Sequence, residues 1–206
     1  MRQLTFIILL FLTVAAAKAQ GYYFNLGQNF TKYDYKNSSG QTNSNVKSDN
    51  GFMVDFGYQW NISYDSKWQY KAGLSYQQFN AKGKNGTFDY SWNTNYIGIQ
   101  NTISYDIYTS YGKEVCVKIN SGFTGTTILK GEQMINSISY DLAKQEEFKG
   151  LFLQPHIGVE NDFYINESIR LGIGYRFSKA FRINSGSKES LNFINNTFYL
   201  NFKYSI

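Results

Sequence analysis

The residues able to do chemistry in this 206-residue chain are few and widely spaced: there is one histidine, His156, and one cysteine, Cys116. A lone histidine cannot build a multi-histidine metal site, and a lone cysteine allows neither an internal disulfide framework nor a cysteine cluster. As a general base His156 would need a nucleophile and an orienting acid. It is followed by Ile157 and Gly158 rather than a serine, and the acid sharing its face is Glu160. A histidine in a hydrogen-bond network and a buried thiol at Cys116 are the expected roles. No phosphate loop, metal cluster or aspartic dyad is found, so no catalytic residue, metal or cofactor is expected. What remains is ionic: Asp55, Lys71, Lys118, Glu160, Arg170, Arg176 and Lys203, with Glu114. Isolated charges of this kind can neutralise one another or rearrange to pass ions.

The elements that position these charges follow from a period of two. Alternate residues give Tyr22 to Phe30, Phe52 to Trp60, Trp68 to Tyr76, Ile97 to Tyr105, Val115 to Phe123, Leu151 to Val159, Ile169 to Phe177 and Phe198 to Ile206. Of these 40 positions 36 are apolar and none is charged, the exceptions being Gln28, Asn101, Ser121 and Pro155. The 32 intervening positions hold eight glycines and only five apolar residues. One face of each strand is therefore oily and the other wet, and small residues on the wet face suit a narrow closed lumen. A soluble β-sandwich or lipocalin-like secreted barrel shares the period. Its second face is usually richer in Lys and Glu.

Spacing adds a second signal. Segments 61–67, 106–114 and 160–168 are short, whereas 31–51, 77–96, 124–150 and 178–197 are long, and the two kinds alternate. Eight strands with short turns on one side, long loops on the other and aromatic girdles describe a membrane-spanning barrel. Hydrocarbon leaves no partner for an open sheet edge, so such a sheet must close. Tyr22, Trp60, Trp68, Tyr105 and Tyr204 would form the periplasmic girdle, and Phe30, Phe52, Tyr76, Phe123 and Phe177 the outer one. Pro155 lacks a ladder donor, which predicts a bulge or strand irregularity around it.

Residues 1–19 read as a signal peptide: Arg2 precedes an apolar stretch from Leu4 to Ala17, and Ala17-Lys18-Ala19 supplies the small cleavage residues. The stretch is short for a spanning helix. Removing it reduces the formal charge from +5 to +3, which does not point to nucleic acid. Residues 20–206 then form one domain.

These strands resemble the small eight-stranded outer-membrane β-barrel proteins of Gram-negative bacteria, the kind to which OmpX and the transmembrane domain of OmpA belong. The most specific likeness is Phe198-x-Leu200-x-Phe202-x-Tyr204-x-Ile206, which is similar to the C-terminal signal read by the barrel assembly machinery, although Ile206 stands where an aromatic residue is usual. The resemblance implies an all-β, eight-stranded antiparallel up-and-down barrel in the outer membrane, monomeric, surrounded by lipid and with both termini periplasmic. It also implies a non-enzymatic surface or envelope-integrity role with a largely plugged lumen. A narrow channel for small or apolar solutes is the alternative, and a lipid-modifying enzyme built on a single histidine the less favoured one.

Within the lumen Asp55, Lys71, Lys118, His156, Glu160, Arg170, Arg176 and Lys203 form the expected charge network, with Asp55 paired to Lys71 and Glu160 to Arg170. Counted with Glu114, cations exceed anions by five to three, so any residual flux would favour anions. The loops would carry contacts with a ligand of unknown identity. Met134, Ile135, Ile138, Tyr140 and Leu142 are apolar enough to extend the sheet or pack over the mouth.

Overall fold

The computed structural model describes residues 20–36, 39–41, 46–65, 67–85, 88–112, 114–136, 138–183 and 190–206. The expected signal peptide lies outside them. Nine strands are present among these residues: β1 (Gly21–Lys36), β2 (Val46–Asn61), β3 (Trp68–Asn85), β4 (Phe88–Thr109), β5 (Val115–Ile135), β6 (Ile138–Asp141), β7 (Leu151–Tyr164), β8 (Ile169–Arg182) and β9 (Ser190–Ser205). Each long strand pairs antiparallel with two neighbours, and the pairing β4–β5 joins the two halves of the sheet. The order β1-β2-β3-β4-β5-β7-β8-β9 returns to β1 and closes an eight-stranded ring. The ninth strand, β6, folds back on the end of β5 outside that ring.

Burial follows the alternation with the sense a membrane requires. Phe24, Leu26, Phe56, Leu74, Ile99, Ile157, Ile173 and Leu200 are exposed, while their alternates Asn25, Asp55, Ser75, Gln100, His156 and Asn201 are buried. The apolar wall faces outward because the surrounding solvent is hydrocarbon. At the end bearing the short turns, Tyr22, Tyr58, Trp60 and Tyr70 form a chain of ring contacts with centroids 5.2, 6.2 and 5.6 Å apart. Trp68 and Tyr105 pack at 4.7 Å on the same end. An aromatic side chain is amphipathic in the way the headgroup region asks for.

Polar residues on the outer wall are satisfied locally or left facing out. Asn101 accepts the Tyr70 hydroxyl at 2.5 Å, and Ser121 donates to the His156 carbonyl at 3.3 Å. Gln28 is exposed.

Three expectations about the strands change. First, the strands run far past the membrane: β4 alone, at 22 residues, spans about 70 Å by strand rise, against an apolar band of about 25 Å. Segment 77–96, expected as a long loop, is largely the continuing β3–β4 hairpin, whose ladder includes Gln77↔Tyr96 and Gly83↔Tyr90. Second, no residue is inserted at Pro155: Leu153↔Phe181 and His156↔Ser178 keep one register. The irregularity there is the two missing β8 rungs at Gln154 and Pro155, while the β5 ladder continues through Phe123↔Pro155. Third, register shifts occur elsewhere, between Ser48 and Met53 of β2, and between Asn95 and Tyr96 and between Asp106 and Tyr108 of β4.

Candidate functional site in the barrel interior

The inward residues of the eight-stranded ring fill the lumen in three layers. Nearest the short turns is an ionic layer. Lys203 on β9 donates to both Asp162 oxygens at 2.8 and 2.7 Å and also reaches Glu160. Lys71 on β3 binds the same Glu160 at 2.9 and 3.2 Å. Lys118 on β5 sits between Asp106 at 2.9 Å and Asp162 at 3.5 Å, and donates to Gln69 at 3.0 Å. Across the lumen Arg176 on β8 binds Asp55 on β2 at 3.0 Å, and Ser75 donates to the other Asp55 oxygen at 2.7 Å.

Two tyrosines tie these groups together. The Tyr199 hydroxyl donates to Glu160 at 3.2 Å, and its ring lies 5.2 Å from the Arg176 guanidinium. Tyr23 presents its ring to the Lys71 ammonium at 5.8 Å. Both need a missing side chain next door. A Cβ on Gly174 would sit 2.2 Å from the Tyr199 ring, and one on Gly73 would sit 2.6 Å from the Tyr23 hydroxyl. Glycine on the wet face is thus the socket for an aromatic from the adjacent strand, as Gly174 is for Tyr199, or from the strand beyond it, as Gly73 on β3 is for Tyr23 on β1.

The predicted residues are brought together, but not in the predicted pairs. Asp55 faces Ser75 across the β2–β3 ladder and takes Arg176 rather than Lys71. Glu160 takes Lys71 and Lys203 rather than Arg170. Arg170 lies at the mouth, donating to Ser205 at 3.1 Å and stacking over Tyr164 at 4.7 Å. Glu114 is exposed in the turn before β5. Adjacent-strand reasoning fails because side chains in so narrow a lumen reach across it.

Two carboxylates were missed, Asp106 and Asp162. Including them, the salt-bridged groups of the ionic layer are four cations (Lys71, Lys118, Arg176, Lys203) against four anions (Asp55, Glu160, Asp162 and the half-buried Asp106). The expected cation excess, and with it the anion preference, loses its basis. Asp162 continues the alternation His156, Gly158, Glu160 by one step, so extending that strand would have found it.

Above the ions lies a neutral layer. His156 Nε2 is 3.0 Å from Thr102 Oγ1, Gln154 donates to Gln77 at 3.1 Å and Ser178 at 2.8 Å, and Thr31 donates to Asn195 at 2.7 Å. Glu160 is four residues from His156, about 13 Å by rise, and is already held by two lysines. Cys116 is buried near Thr109.

The outermost layer is aromatic. Tyr33, Phe79, Tyr96, Phe152 and Phe193 pack with Leu142, Phe148 and Leu191 in one buried cluster, and Phe193 touches Phe79, Tyr33, Phe152 and Tyr96 at 4.8 to 5.5 Å. β6 extends the sheet, with Ile138 and Tyr140 exposed, and Leu142 and Phe148 from the segment after it pack over the outer mouth.

The sequence pattern of the outer membrane protein beta-barrel domain matches residues 4–205. The chain belongs to that family. Among solved structures, this outer-membrane barrel is similar to Neisserial surface protein A, with 13% identity and a TM-score of 0.51 over 90% of this chain and 97% of that one. It is also similar to the outer membrane protein OprG of Pseudomonas aeruginosa, with 15% identity and a TM-score of 0.50 over 92% and 97%. The outer membrane enzyme PagL aligns at 10% identity with a TM-score of 0.40, over 88% and 99%. No curated protein sequence matches the chain. The barrel fold and outer-membrane location are thereby established.

Proposed function

We infer that this barrel is a non-enzymatic, monomeric surface protein of the outer membrane, with a plugged lumen and an envelope or binding role carried by its extracellular end. The observation that carries this reading is the filled interior: a charge-balanced ionic layer, a layer of amides and hydroxyls and an aromatic cap lie one above another. A buried ion released from its partner would be left uncompensated, so rearrangement to pass a solute is costly. His156 points into this filled lumen and faces Thr102, and among the described residues neither a serine nor a carboxylate is bound to its ring, which supports the non-enzymatic part. The outward face of β9, from Phe198 to Ile206, is exposed and suited to recognition by the assembly machinery. The apolar wall is occupied by lipid rather than by a second copy.

Planar-bilayer recording on the refolded protein tests the plug. Correctly inserted barrels are expected to stay electrically silent, and stable discrete openings would instead support a narrow channel. For the non-enzymatic part, His156→Ala is expected to leave the modification state of co-purified outer-membrane lipid unchanged. A lipid modification that disappears in a folded His156→Ala barrel would overturn it.

A further inference from the structure

The outer wall of β1, β9 and β8 changes character rung by rung. Its outward residues run Leu26–Leu200–Ile173, then Gln28–Phe198–Tyr175, then Phe30–Asn196–Phe177, then Lys32–Ile194–Lys179. The first two rungs border an open groove of about 580 Å³ that runs on across β7 and β5, where Val159 and Val117 line it, and is bounded at the seam by Leu26, Phe198, Leu200 and Tyr175. On the third rung the small amide of Asn196 separates two phenylalanines and is fixed by the Tyr175 hydroxyl at 2.6 Å. The fourth rung sets two lysines on either side of Ile194, two strand spacings or about 10 Å apart.

These lysines stand immediately above the outer ring of phenylalanines, where the headgroups of the outer leaflet lie. Lys179 touches Asp34 at 3.7 Å, while Lys32 is exposed with no carboxylate partner among the described residues. Of the lysines farther round the rim, Lys82 is matched by Asp49, Lys84 by Asp89 and Lys130 by Glu132, while Lys36 and Lys47 stand higher on β1 and β2 without the apolar rungs beneath them. The seam therefore combines one surplus positive charge, Lys32 and Lys179 against Asp34, at headgroup height with an apolar groove that begins below the intervening Phe30–Asn196–Phe177 rung. An anion carrying a hydrocarbon chain satisfies both halves, and a soluble anion satisfies only one.

We propose that the β1–β9–β8 seam binds a phosphate-bearing lipid of the outer leaflet, with its phosphate between Lys32 and Lys179 and one acyl chain in the groove beside Phe198 and Leu200. The phosphate gains two ammonium partners, and the chain replaces loose bilayer contacts with a shaped wall. The site lies on the outside of the barrel and does not depend on whether the lumen conducts.

Native mass spectrometry of the purified, folded barrel incubated with long-chain phosphatidate, or with phosphatidylcholine of the same chains, tests the proposal. Phosphatidate is expected to be retained over phosphatidylcholine. Lys32→Gln and Lys179→Gln should each lower that retention roughly fivefold. Ile173→Phe, which narrows the groove, should lower it as well, and Lys84→Gln should not. Equal retention of phosphatidylcholine would overturn the proposal. So would an equal loss in Lys84→Gln, which would mark general charge attraction. Displacement of phosphatidate by an equal concentration of inorganic phosphate would overturn the lipid assignment and leave only an anion site.

Discussion

Lys203 touches two carboxylates, Glu160 and Asp162, and is fully buried. Removing its charge strands them with only Lys71 and Lys118 nearby. Lys203→Met is expected to cost roughly 3 to 5 kcal/mol in urea unfolding of the lipid-inserted protein. A second change, Asp162→Asn, should return part of that loss by removing the orphaned charge. The socket at Gly174 makes a separate prediction: Gly174→Ala must push aside the Tyr199 ring and should cost about 1 to 3 kcal/mol, with most of it recovered when Tyr199 is shortened to Leu. Most of these residues were legible, since a charge on the wet face of a strand has nowhere to point but inward. Their partners were not. Sequence order says which strands are neighbours, whereas Arg176 finds Asp55, and Lys71 finds Glu160, from strands that share no ladder.

Strands were legible where lipid touches them and lost where it stops. Below the outer rim β3 shows outward Leu74 and Tyr76; above it the inward residues Phe79 and Ala81 become the apolar ones and Asn80 and Lys82 face out. The same reversal separates Phe198 from Phe193 on β9. The period of two persists but its phase inverts, because the solvent outside changes from hydrocarbon to water while the lumen is filled with rings. A search for one continuous oily face therefore stops at the inversion, although the backbone ladder does not. This register is testable by depth: Leu74→Arg, inside the band, should cost about 2 to 4 kcal/mol, and Tyr22→Arg, at the girdle, about 0 to 1, by refolding into vesicles. At the first short turn the Ser63 hydroxyl and the Lys67 backbone N–H hold the Asp65 carboxyl below its usual range. Since the folded value is depressed, the turn's contribution is present above the ordinary aspartate range and fades as pH falls through the folded value. Chemical-shift titration should show that value rising in Ser63→Ala.

Among the described residues the lumen is filled by two dense layers in series, ionic below and aromatic above, separated by a neutral layer, and on the proposed reading each is a plug. Plugs in series predict that neither Asp55→Asn nor Phe193→Ala alone admits current, and that conductance requires opening both layers; measurable openings in either single variant would show that one layer alone seals the barrel. The ring has a further consequence, through its seam. β1 and β9 share an unbroken ladder from Gly21↔Ser205 to Lys36↔Ser190, and β9 also binds β8 from Ile169↔Tyr204 to Phe181↔Asn192. The ring strand that comes last in chain order, β9, is thus the keystone. Until it arrives, the edges of β1 and β8 are both bare, and hydrocarbon offers neither a substitute. The wall therefore cannot shut before β9 has been delivered, and a chain that lacks Ser190–Ser205 keeps two open edges rather than a smaller ring.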